Sequence, residues 1–109
     1  MTITGINFFE SPVKVDIEIN KGSLITVSNG GRILYEGLRD YCMGKIRKMV
    51  YNLSDLGIKA IVFNIKKPNL DANPLFDDDK AYFKDHLYLL GTSCKIRIEV
   101  MAGLCNMLA

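Results

Sequence analysis

At 109 residues the chain is the size of one domain, and 49% hydrophobic with 24% charged residues is the makeup of a folded globular protein, not a disordered or fibrous one. A net charge of +2, with basic residues scattered among the acids, argues against the concentrated basic stripe that nucleic-acid binding uses. No apolar run approaches the roughly 20 residues that span a bilayer, and the opening MTITGINFFESPVKV lacks the charged and apolar regions of a secretory signal, so a cytoplasmic location and no membrane partner are expected.

In chain order, VKVDIEI alternates strictly, with Val13, Val15, Ile17 and Ile19 on one face and Lys14, Asp16 and Glu18 on the other, as a half-buried strand requires. Two β-rich runs follow in SLITVSNGGRILYEG, around Asn29-Gly30, a pair suited to the positive φ angles of a type I′ hairpin turn. Three successive strands with one apolar face demand a helical layer over that face. The spacing of Leu38, Cys42, Ile46, Met49, Leu53 and Leu56 predicts that helix, with Gly57 as its stop. Its opposite side holds Asp40, Gly44, Arg47, Lys48, Tyr51 and Asp55; an exposed Tyr beside Arg is a pattern of binding surfaces, and Arg47, Lys48 and Tyr51 form a candidate interaction face.

The run IKAIVF is too short for a helix and rich in β-branched residues, which predicts a central strand covered on both faces. Next comes NIKKPNLDANPLFDDD, Asn64 to Asp79, with Pro68 and Pro74 fixing φ as a strand-to-helix crossover needs. DDDKAYFKDHLYLLG then predicts a helix with a stripe of Phe83, Leu87 and Leu90, Tyr82 and His86 at its edge, and Gly91 at its end. CKIRIEVM alternates as a last strand, and Met101, Leu104, Cys105 and Leu108 stand at helical spacing. The expected fold is a single α/β domain over residues 1–109, a mixed β-sheet with helices packed on it, in the order β-β-β-α-β-α-β and a short final α.

Loops beyond the carboxyl ends of parallel strands are where such sheets gather function, and Asn64 to Asp79 falls there. Asp71, Asp77, Asp78 and Asp79 could offer oxygen ligands to magnesium or calcium; alternatively Asp77 to Asp79 meet the positive end of a helix macrodipole, at about 0.3–1 kcal/mol each. The spacing does not match the calcium-loop pattern, which favours the structural role. His86 suits acid–base work by its ordinary pKa, but it sits beside the apolar stripe, and Ser28, Ser54 and Ser93 have no nucleophile-elbow context. Cys42, Cys94 and Cys105 are too far apart for a zinc or CxxC pattern and read as buried thiols. No catalytic, metal or cofactor motif is apparent.

From about Gly22 to Leu108 the layout resembles the sulfate transporter and anti-sigma antagonist (STAS) domain family. The pieces that carry the resemblance are GGRI at the end of a strand pair, the helix from Leu38, IKAIVFNI, and LDANPL at Leu70 to Leu75, where the family has an Ile-Asp-Ser-Ser-Gly-Leu loop opening the next helix. The resemblance implies a small regulatory module that binds a protein partner. Where regulatory members carry a phosphorylatable serine, this chain has Ala72 and Asn73, followed by Pro74, so recognition at this loop is expected to rest on shape.

The reading favoured by the sequence is a non-enzymatic protein-interaction or regulatory module, able to self-associate as a homodimer. Its candidate interaction loop is Asn64, Asp71, Asn73 and Pro74, with Arg47, Lys48 and Tyr51 as a second surface. The alternative is a metal-dependent or small-molecule-binding enzyme using the acidic loop Asp71 to Asp79.

Overall fold

In the computed structural model the described residues are 12–67 and 76–101. They build five strands and two helices: β1 (Val13–Ile19), β2 (Leu24–Asn29), β3 (Arg32–Leu38), α1 (Arg39–Asp55), β4 (Ala60–Lys66), α2 (Phe76–Tyr88) and β5 (Lys95–Met101). The sheet order is β3-β2-β1-β4-β5, antiparallel through β1 and parallel from β1 to β5. This is the expected α/β domain with a mixed sheet and the expected element order. The short final helix and Asp71, Asn73, Pro74 and Cys105 lie outside the described residues.

Strand pairing follows from the alternation. Val13, Val15 and Ile17 stand opposite Ile61, Phe63 and Ile65, which in turn stand opposite Ile96, Ile98 and Val100. That apolar face, with Ile25 and Val27 of β2, meets Cys42, Met43, Ile46 and Val50 of α1 and Phe83 and Leu87 of α2 in one core. Burial of each large side chain there contributes about 1.5–3 kcal/mol. Both crossovers, β3 to β4 through α1 and β4 to β5 through α2, step the same way along the sheet, so one handedness puts both helices on one face.

The other face carries no described helix, which corrects the expectation that IKAIVF is covered on both sides. Val62 is buried there all the same, between its register partners Lys14 and Arg97, whose long stems can cover apolar surface while their charges stay wet. Polar contacts also lie on that face: Asn64 donates from Nδ2 to Asp16 Oδ1 at 3.2 Å, Lys66 pairs with Asp16 at 3.4 Å, and Thr26 bridges Asn20 and Glu36.

Four boundaries move by a residue or more. The hairpin turns on Gly30-Gly31, with φ of +58° and +84°, while Asn29 stays in β2 opposite Arg32. Leu38 closes β3 opposite Leu24 and is 66% exposed, and Leu56 lies past the end of α1; Met43 and Val50 take their places in the buried arc. α2 ends at Tyr88 rather than Gly91. The Gly57 stop is as expected: φ is +93°, and the Gly57 and Ile58 N–H groups bond back to Ser54 and Leu53 as in a Schellman cap.

Candidate functional site

Where β3 passes into α1 and α2 begins, an open cleft of about 670 Å³ lies between the two helices. Arg39, Asp40, Asp78, Asp79, Tyr82 and Asp85 line it, with Ser23 and Leu38 at its rim. It lies at the end of the sheet where β1 and β4 finish, the place at which open α/β sheets collect functional groups.

Asp79 is the centre of the cleft wall. It stands four residues before Phe83 and eight before Leu87, so the arc that turns these into the core carries a carboxylate inward, only 2% exposed. An ionised carboxylate in that setting needs partners. Arg39 Nη1 lies 3.0 Å from Oδ1, and the Ser23 hydroxyl donates to Oδ2 at 2.8 Å. Ser23 reaches it from a tight turn, Lys21–Ser23, in which Gly22 has φ +76° and Ser23 itself φ +61°. A left-handed backbone at a serine costs free energy, and here it accompanies a bond to a buried charge.

A second chain of contacts runs outward from the core. Tyr82 meets Phe83 edge to face at 5.4 Å, and the His86 ring lies 4.0 Å from that of Tyr82. The Arg39 guanidinium sits 4.5 Å from the centre of the Tyr82 ring, a cation–π distance, and the Tyr82 hydroxyl donates to Asp40 Oδ1 at 2.7 Å. Arg39 is thus held by Asp79 and Tyr82 while its side chain stays 41% exposed. Burial pushes the Tyr82 phenol up to about 12, helped by the hydrogen bond and negative charge of Asp40 and opposed by Arg39 and Arg47. It is a neutral donor at any physiological pH.

Arg39 neutralises Asp79, which leaves Asp40, Asp78 and Asp85 as formal negative charges around the cleft. The arrangement can receive a basic side chain against an apolar rim. Asp77 and Asp78 are exposed in the first turn of α2, the macrodipole position expected of them, and Asp77 also lies 3.5 Å from Lys80. Among the described residues no group of three or more His, Cys, Asp or Glu could hold a metal ion. His86 Nδ1 is 2.7 Å from the Tyr82 carbonyl oxygen, which can only accept, so Nδ1 carries the proton; the ring is half-buried at the core's edge, as expected.

The other candidates fall elsewhere. Asn64 belongs to β4, not to the crossover, because the strand continues to Lys66; its side chain is on the helix-free face with Asp16, away from the cleft. Arg47, Lys48 and Tyr51 are exposed together on the outer face of α1. Cys42 and Cys94 are buried free thiols, and burial raises the pKa of both, so neither is poised as a nucleophile. The sequence did not point to Arg39 or Ser23, and it offered Asp79 as a helix-start acid or a metal ligand, not as a buried partner of an arginine. The helical spacing of Asp79 to Phe83 and Leu87 was a usable signal for its burial; nothing local marked Arg39, whose partner is 40 residues away.

No protein-family model matches the chain, and no curated protein matches its sequence. No described helix is long and apolar enough to cross a membrane.

Proposed function

We propose that the chain is a small non-enzymatic interaction module that docks a protein segment in the cleft between α1 and α2. The segment that would fit carries a Lys or Arg for Asp40, Asp78 and Asp85 and an aliphatic residue for Leu38. The segment between β4 and α2, with Asp71, Asn73 and Pro74, is included in the proposed recognition, in keeping with a STAS-like regulatory role, and self-association belongs to the same reading.

One observation carries this: Arg39 is fixed by a buried carboxylate and an aromatic ring yet remains partly exposed, beside a Leu38 that is 66% exposed. Arginine and tyrosine dominate interface hot spots, and a side chain already immobilised loses little entropy when a partner arrives. A divalent cation that used Asp79 would have to displace Arg39 and Ser23 from its two oxygens.

A peptide-display selection tests the reading. Peptides enriched on the wild-type chain should pair a basic with an aliphatic residue and should fail to bind an Asp78→Lys, Asp85→Lys double variant. Equal binding to that variant, or enrichment of acidic peptides, contradicts the cleft. Calorimetric heat with magnesium, manganese or calcium that disappears in Asp71→Ala would favour the metal-dependent alternative.

A further inference from the structure

The outer face of α1 has an arrangement that shares only Asp40 with the cleft. Gly44 lies in the middle of this 17-residue helix, on its partner-free side, and a Cβ built there meets no atom within 4 Å. Apart from proline, glycine is the poorest residue for a helix interior, and neither a positive φ nor a close neighbour within the monomer requires it. A depression of about 320 Å³ surrounds it, bounded by Asp40, Tyr41, Lys45, Arg47 and Lys48.

The residues around Gly44 are self-complementary. Asp40 lies four positions before it and Lys48 four after; Tyr41 lies three before and Arg47 three after. A two-fold axis through Gly44, perpendicular to the helix, therefore brings an acid against a base twice and an aromatic ring against a guanidinium twice. We propose that this face is the interface of a homodimer in which α1 packs antiparallel on α1 of a second copy, crossing at Gly44.

Without side chains at the crossing the two axes can approach to the short end of the usual range of about 8–10 Å. Asp40 and Lys48 then lie about 6 Å along the helix on either side of the axis, at 1.5 Å per residue, which places each against its counterpart in the second copy. The Tyr82 hydroxyl already orients the Asp40 carboxylate, and Lys45 lies 5.6 Å from the Tyr41 ring, a cation–π distance that shows the ring can accept a cation. Among the described residues neither Arg47 nor Lys48 has an ion-pair partner. Tyr41 and Tyr51, 52% and 40% exposed, supply the apolar area. A purely basic patch would suit an anion; the acid at one end and the unfilled glycine at the centre favour a second copy.

The proposal rests on the reading of the chain as an interaction module but not on the cleft. Sedimentation velocity over a concentration series tests it with wild type, Gly44→Leu, Asp40→Lys, Lys48→Asp, and an equal mixture of the last two. Wild type should show a concentration-dependent dimer. Gly44→Leu should be monomeric yet melt no lower than dilute wild type, because its side chain enters open space and improves the helix. Each charge variant alone sets like charges opposite each other twice and should stay monomeric; their mixture sets opposite charges together twice and should recover the dimer.

A wild type that is monomeric up to its solubility limit, a dimeric Gly44→Leu, or a mixture of folded variants that stays monomeric overturns the proposal. Should Asp40→Lys disturb the fold by losing Tyr82, Gly44→Leu and Lys48→Asp still decide the matter. A monomer that nonetheless selects basic peptides removes the dimer alone; a dimer that selects none removes the cleft reading alone.

Discussion

The cleft and the outer face of α1 begin at adjacent residues, Arg39 and Asp40, and treat their charges in opposite ways. In the cleft wall both oxygens of Asp79 are occupied, Arg39 lies against Tyr82, and the group is built from three distant segments of chain. On the outer face Arg47 and Lys48 are exposed and come from one helix. The difference separates two kinds of polar residue. Changes at the first should register as lost stability, because they strand a buried charge; changes at the second should register as lost association and leave the monomer almost untouched.

The contrast can be broken most easily at its strongest point. Arg39→Ala leaves the Asp79 carboxylate buried with Ser23 as its remaining partner, and urea unfolding should show a loss of about 2–3 kcal/mol. A loss below about 0.5 kcal/mol, the range of ordinary surface substitutions, would mean the pair is no lock. Joint replacement, Arg39→Met with Asp79→Leu, should recover much of the loss, since it removes both the charge and the need for a partner.

Tyr82 offers the next largest effect. Its phenol is raised in the folded chain, to about 12 from an ordinary value of 10, so the stability it contributes is complete below pH 10 and is lost as pH rises toward 12. Ultraviolet titration should find one tyrosine ionising near 12 that is missing from Tyr82→Phe, and that variant should lose less stability over the same window. Identical alkaline profiles for the two proteins would contradict the bond to Asp40.

On the outer face the expected signs differ. Gly44→Ala should stabilise the dilute monomer by about 0.5–1 kcal/mol, as a helix-interior glycine replacement does; a destabilised monomer would show that the glycine serves the fold itself. Smallest of all, Arg47→Ala and Lys48→Ala should each stay within about 0.5 kcal/mol of wild type in thermal unfolding at low concentration.

How much could be read in advance follows the same division. The strands, the helix stop at Gly57 and the exposed face of α1 were legible because they depend on periodicity and local backbone chemistry. Leu38 misled because a strand-ending leucine and a helix-starting one share the same spacing, and only its register opposite Leu24 separates them. IKAIVF misled because Val62 is shielded where Lys14 and Arg97 flank it, and a continuous apolar run cannot distinguish such side chains from a second helical layer. The cleft was hardest to foresee: Ser23, Arg39 and Asp79 come together through tertiary packing, and no pattern within a window of sequence joins them.

The division of labour between the two regions is tested most directly by amide chemical shifts recorded by NMR across a dilution series of the wild-type chain. Concentration-dependent shifts are expected along the outer face of α1, at Asp40, Tyr41, Gly44, Arg47, Lys48 and Tyr51, with Ser23, Asp79 and the rest of α2 unchanged. Shifts absent at every concentration, or centred instead on the exposed edge of β3 at Ile33 and Leu34, would contradict that division.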